Sequence, residues 1–407
     1  MNTRRATTLL MAGPMVLAAA LGANHPARAS QPHPTAVAVA VTPSGGRLFA
    51  VSEVLGRSWV SMLNAHTGRV LNAITVPTGT SQILVDDRSG HVFLSSRDAT
   101  VMLSTRTGRI LARLTWQSGN ADMQALASRL GFLYVTAGAR LHQISAETGR
   151  ELRSAPLSSQ PFASVAVDEG TGHIFTLDGA GIFRIYNARS LQLLRRTAIH
   201  NAAPAFTLPI APVLEVAEAQ NIVFLISGPS RQAVTMLDAA TGAVRQTVRV
   251  PAPSGISVAL DAKTSHAFIA STGNAGEPPY TNGVVTTINM KTGKVLRTVQ
   301  VGVGAGRLAV DPSTNHVFVL SLPPVSKQGG INFWSARVSM IDARTGALLR
   351  ATTIPETVPT ASRLGVDSVN HRVYLTWATS AGNSLTVLDS RTDALLPPLV
   401  LAREPGR

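Results

Sequence analysis

Five histidines recur at one place in an internal repeat, each four or five residues after an aspartate: Asp86 and His91, Asp168 and His173, Asp261 and His266, Asp311 and His316, Asp367 and His371. An imidazole oriented by a carboxylate is the pairing that general-base catalysis uses. Recurrence in register argues against that chemistry here. An active site is assembled once, whereas a residue repeated at the same place serves the repeat. The Asp is expected to accept turn amides and the His to cover the turn at the start of a second strand. Pairs on separate units are also too far apart to share one metal ion, whose bonds are about 2 Å.

Other chemistry finds little support. Cysteine is absent, and no H-x-E or H-E-x-x-H spacing offers zinc ligands. The acidic turn from Val85 to Gly90 lacks the alternating oxygen ligands of a calcium loop. No G-x-S-x-G elbow presents a nucleophilic serine. No catalytic residue, metal ligand or cofactor is assigned on these grounds.

What varies between units is the loop joining their second and third strands. It shrinks to Asp178-Gly-Ala-Gly181 in the fourth unit, and grows to residues 271–283 in the sixth and 322–337 in the seventh. The link from the fourth unit to the fifth, residues 200–212, is also long. Where such units stand side by side these connections share one face, so the extra length should gather at one rim. It carries Glu277, Tyr280, Lys327, Asn332, Phe333, Trp334 and Arg337. Aromatic planes beside charged and amide groups suit a sugar, a peptide or a polymer end. The competing expectation is that Phe333 and Trp334 bury themselves to hold a long loop down.

These loops hang on a repeat of two strand pairs. Its clearest marker is a short acceptor three residues before a Thr or Ser: Asn64, Ser104, Ser145, Asn187, Asp238, Asn289, Asp342 and Asp389. Such a side chain takes backbone N–H groups two and three residues on and holds a tight turn. Gly follows the Thr in six copies, supplying positive φ, while Leu191 and Asp393 replace it in two. Those two turns are expected to be looser. The anchoring residues, Thr67 to Thr392, are spaced 40, 41, 42, 51, 51, 53 and 47 apart. Four strands at that period indicate propeller blades. Eight blades are expected, with seven the alternative if a terminal unit is incomplete, for instance where Leu396-Pro-Pro-Leu399 interrupts the last strand.

The pattern of apolar run, Asp turn, apolar run, then apolar-Asp-x-x-Thr-Gly-x-apolar, as from Arg307 to Thr353, resembles the YVTN-repeat (YncE-like) β-propellers. The resemblance covers nearly all of the chain after its first segment. It implies an all-β propeller of four-stranded antiparallel blades, usually seven of them, and an extracytoplasmic or surface-exposed protein, with no particular activity. The Thr-Gly turn is also similar to that of quinone-cofactor propeller dehydrogenases. Their repeat has a Trp after the turn, where this chain has Val295-Leu-Arg or Leu348-Leu-Arg, and their vicinal cysteines have no counterpart.

Arg4 and Arg5, an apolar run from Leu9 to Ala23 and the site Ala27-Arg-Ala29 together read as a secretory signal over residues 1–29, leaving 30–407 as one propeller domain. The run is too short for a membrane span of about 20 residues, so none is expected once the signal is removed. Losing Arg4, Arg5 and Arg28 leaves 33 basic against 22 acidic residues, or +11. Outside the cytoplasm such a charge meets anionic polymers and lipid head groups. Only four of the cations are lysine, and the arginines are scattered without interleaved aromatics, which speaks against nucleic-acid binding. The expected function is an exported, non-enzymatic propeller, periplasmic or at the cell surface, binding a protein or an anionic envelope polymer through its loop face. The alternative is a hydrolase of lactonase type, to which some propeller families are similar, with its site at the central channel mouth.

Overall fold

The computed structural model describes residues 35–116, 121–157, 164–178, 180–199, 213–227, 233–250, 256–274, 279–326, 328–333, 335–355, 357–379 and 383–405. The signal segment and the 200–212 link lie outside the described residues. Eight four-stranded antiparallel sheets follow one another, each made of consecutive strands. The first comprises Thr35–Val41, Arg47–Val54, Arg57–Asn64 and Val70–Val76, and the last Thr357–Asp367, Arg372–Thr379, Ser384–Asp389 and Leu395–Val400. The inner strand of each blade touches that of the next, and the first touches the last. Eight blades therefore close a ring without strand exchange between the termini, and the seven-blade alternative falls. Pro397 and Pro398 are accommodated because their strand is the outer one, where a missing N–H faces no neighbour; the ladder skips a register between Leu385 and Val387.

The core lies between blades. Buried apolar residues form clusters that each join two neighbours, such as Phe93, Met102, Leu133 and Val135 for blades 2 and 3, or Leu48, Ala50, Tyr374 and Leu385 for blades 1 and 8. Second and third strands are apolar on both faces because both faces meet another sheet, whereas an outer strand such as Leu193–Ala198 is largely exposed.

The turns form as their side chains dictate. Asn64 Oδ1 accepts from the N–H groups of His66 and Thr67 at 3.0 and 2.9 Å, and Asp342 Oδ1 from those of Arg344 and Thr345 at 3.0 and 2.7 Å. The two turns without glycine are not looser. Leu191 and Asp393 hold φ of 56° and 58°, and each donates the same N–H bond, to Asn187 and Asp389, at 2.9 Å. The explanation lies in the neighbouring blade. A Cβ on Gly149 would sit 2.4 Å from Ala112 of blade 2, whereas Leu191 fills space among Tyr134, Leu141 and Ala155 of blade 3. Packing decides between Gly and a side chain here, and each side chain accepts left-handed backbone.

The repeated carboxylates accept turn amides: Asp168 Oδ1 takes Gly170 N at 2.8 Å, and Asp367 Oδ1 takes Asn370 N at 2.9 Å. The histidines do not cover those turns. They reach the next blade, where Nδ1 of His91, His173, His266 and His316 donates to the carbonyls of Ala146, Ala239, Ala343 and Ser390 at 2.8, 3.0, 2.9 and 2.8 Å. A carbonyl only accepts, so Nδ1 carries the proton. His371 departs from the set. It occupies the left-handed turn position, φ 53°, and Arg372 takes over the staple, donating to Ala65 O at 2.8 Å across the closure. In blade 3 Tyr134 Oη and Gln143 Nε2 play the part, both donating to Ala188 O, at 2.6 and 2.7 Å.

The C-terminal tail straps the seam. Trp59 Nε1 donates to Ala402 O at 3.0 Å, Ala402 N to Ser61 Oγ at 3.1 Å, and Arg57 pairs with Glu404 at 2.8 Å.

Candidate functional site

In a four-stranded antiparallel blade the second strand ends on the face where the first begins. The second-to-third loops, the links between blades and the starts of the inner strands therefore share one face, the loop face. In blades 6 and 7 its connections are knitted by backbone. Gly283 N donates to Gly302 O at 3.0 Å, Gly304 N to Thr272 O at 2.7 Å, and Leu322 N to Val303 O at 2.7 Å. Asn282 Oδ1 accepts from Val325 N at 2.8 Å, tying the blade 7 loop to the blade 6 loop. Gly302 permits this approach: a Cβ there would lie 1.6 Å from the Leu322 carbonyl oxygen.

On this frame Tyr280 and Phe333 meet edge to face, with centroids 6.5 Å apart and planes at 82°. Phe333 is 45% exposed, so it does not bury itself to pin the loop. Asn332 Nδ2 donates to Ser335 Oγ at 3.0 Å. Arg337 stands inside the third strand of blade 7, Ser335–Asp342, paired in register with Ser321 and Thr353. Its charge acts on Asp393 of blade 8. Glu277, Lys327 and Trp334 lie outside the described residues.

The channel wall supplies groups that composition did not reveal. Counting back four residues from the turn Asp places Gln82, Ser164, Ser257, Arg307 and Arg363 at one level at the loop-face mouth. The polar character of that position is the signal in the sequence, legible once the repeats are aligned on the Asp. Two residues deeper the wall is Ala166, Ala259, Ala309 and Gly365, with Glu215 standing out in blade 5. Glu215 is half-buried on the channel, and burial pushes its carboxyl up to about 7. Arg307 is exposed at the start of its strand, and crowding by the channel wall, then by the neighbouring Arg363, lowers its guanidinium; burial lowers Arg363, which is half-buried. Among the described residues no three of His, Cys, Asp or Glu converge as a metal site.

The family model for outer membrane protein assembly factor BamB matches residues 97–275, less than half of the chain. No curated protein sequence matches it. Among solved structures, the chain is similar to dihydro-heme d1 dehydrogenase NirN in complex with DHE, at TM-score 0.65 and 11% identity over 89% of this chain and 74% of that one. It is similar to the computationally designed Ika8 protein, at TM-score 0.61 and 14% identity over 85% and 94%, and to BamB from Moraxella catarrhalis, at TM-score 0.56 and 13% identity over 84% and 95%. At such identity these likenesses concern the propeller fold.

Proposed function

We propose that the chain is an exported, non-enzymatic β-propeller of the YVTN-repeat kind that binds a protein or an anionic envelope polymer through its loop face. The observation that carries this reading is exposed Phe333 set against half-buried Tyr280 on loops locked by backbone hydrogen bonds. An exposed aromatic side chain held by a second ring on a rigid frame loses little entropy on binding, which favours recognition. The partial match to an outer membrane assembly factor supports the extracytoplasmic address. The test is co-sedimentation of the protein with isolated cell envelope across a salt series, for wild type and Tyr280→Ala/Phe333→Ala. Bound protein that falls by about tenfold in the double variant at unchanged melting temperature is expected. Equal binding by both proteins at every salt concentration refutes the loop face as the contact.

A second reading, a hydrolase at the channel mouth, is favoured by Glu215, whose carboxyl near neutrality suits a general acid or base. Lactone hydrolysis that is lost in Glu215→Gln would establish it over binding alone.

A further inference from the structure

Arg363 lines a cavity of about 240 Å³ in the channel together with Ala38, Val39, Ser81, Gln82 and Gln124, drawn from blades 8, 1, 2 and 3. Arg307 begins the neighbouring inner strand, close enough for the two positive charges to repel. Some arginines of this protein find carboxylates, as in Arg184 with Asp178 at 2.7 Å or Arg57 with Glu404 at 2.8 Å, and others find backbone carbonyls, as Arg372 does at Ala65. Among the described residues neither the Arg307 nor the Arg363 guanidinium has a carboxylate or a hydrogen-bond acceptor. Arg307 is exposed, so water screens part of this repulsion, while half-buried Arg363 faces the cavity without a counterion. An anion beside Arg363 offsets its desolvation and the neighbouring positive charge.

A neutral group points the same way. Gln124 is 8% exposed and fixed on two sides: its Oε1 accepts from Ser95 Oγ at 2.8 Å, and its backbone N donates to Gln82 Oε1 at 3.1 Å. Its Nε2, a two-hydrogen donor in the cavity wall, has no acceptor. Buried donors are nearly always paired, and an orphan beside a cavity marks where an acceptor belongs. The remaining lining includes Ala38, Val39, Ile83, Leu84 and Leu364, which hydrate poorly and so strengthen charge–charge attraction. The lining offers cationic and amide donors but no carboxylate.

We infer that the loop-face mouth of the channel is a receptor for a small organic or inorganic oxyanion, held by Arg363 with the Gln124 amide as a second donor and in the positive field of Arg307. The cavity is below the roughly 300 Å³ at which drug-sized sites begin, so a short carboxylic acid or a phosphate fits and a polymer segment does not. Guanidinium forks pair with either oxyanion in two parallel hydrogen bonds. The site is independent of the aromatic pair on the loops, and each stands if the other fails.

The test is isothermal titration of the full chain with succinate, with inorganic phosphate and with neutral succinamide at constant ionic strength, for wild type, Arg363→Gln and Gln124→Leu. Saturable one-site binding of succinate or phosphate, none of succinamide, and a loss of at least about tenfold in Arg363→Gln are expected, because a charged hydrogen bond is removed. Gln124→Leu, which keeps both guanidiniums, should weaken binding severalfold and serves as the deciding variant if Arg363→Gln does not fold. Whichever anion binds identifies the headgroup. Absence of saturable heat with both anions, or unchanged affinity in the folded variants, overturns the proposal.

Discussion

Replacing Glu215 with Gln should remove one source of the pH dependence of the propeller's stability across the neutral range. Burial raises this carboxyl from 4.5 to about 7 in the folded chain. A raised acid binds its proton more tightly when folded, so its contribution to stability is fully present below about pH 4.5. It is lost as pH rises to about 7, and stays lost above. At about 1.4 kcal/mol per pKa unit the full shift corresponds to roughly 3 kcal/mol; the part of the side chain that meets channel water reduces this to about 2 kcal/mol. For a domain spanning His33–Arg407 with an unfolding entropy of about 2.1 cal/mol/K per residue, that is a melting shift of about 2 to 3 °C. Calorimetric scans of both proteins at pH 4.5, 6, 7 and 8 provide the assay. Glu215→Gln should melt about 2 to 3 °C above wild type at pH 8 and level with it at pH 4.5. Asp393 also titrates in this range, and it cancels in the difference between the two proteins. Equal melting at pH 8, or a variant that is less stable there, would refute the reasoning that the channel wall penalises the charge.

Two further changes probe the frame. Asp393 is 0% exposed and holds φ 58°; burial pushes its carboxyl up to about 6 against the opposing pull of Thr352 and the neighbouring arginines. Asp393→Gly removes both the left-handed strain and the buried charge and should raise stability by about 1 to 2 kcal/mol at pH 8, read from the urea midpoint. Asp178→Ala should do the opposite. It leaves Arg184, its partner at 2.7 Å, as an unpaired buried cation, and strips the Ala180 and Ile182 amides of their acceptor, costing about 3 to 5 kcal/mol in the same measurement.

What the sequence by itself determined was the part of the fold made by neighbours along the chain. The acceptor at Asn64 bonds amides two and three residues on, and each counterpart bonds at least the one three residues on, so the turn, its recurrence and the count of eight units are legible without a structure. The varied loops of blades 6 and 7 were legible too, because length needs no partner to be seen. Tertiary structure decided everything that crosses a blade boundary. His316 bonds a carbonyl 74 residues away, and nothing near His316 in the chain announces it. A slip of one position made His371 a turn residue and gave its staple to Arg372. Whether a turn carries Gly, Leu or Asp depends on what the previous blade leaves open, as Ala112 beside Gly149 and Tyr134 beside Leu191 demonstrate. Arg307, Arg363 and Glu215 became neighbours of a channel only when eight inner strands closed into a ring. Charge in a sequence has no address, and burial, which sets its chemistry, is conferred by the rest of the chain.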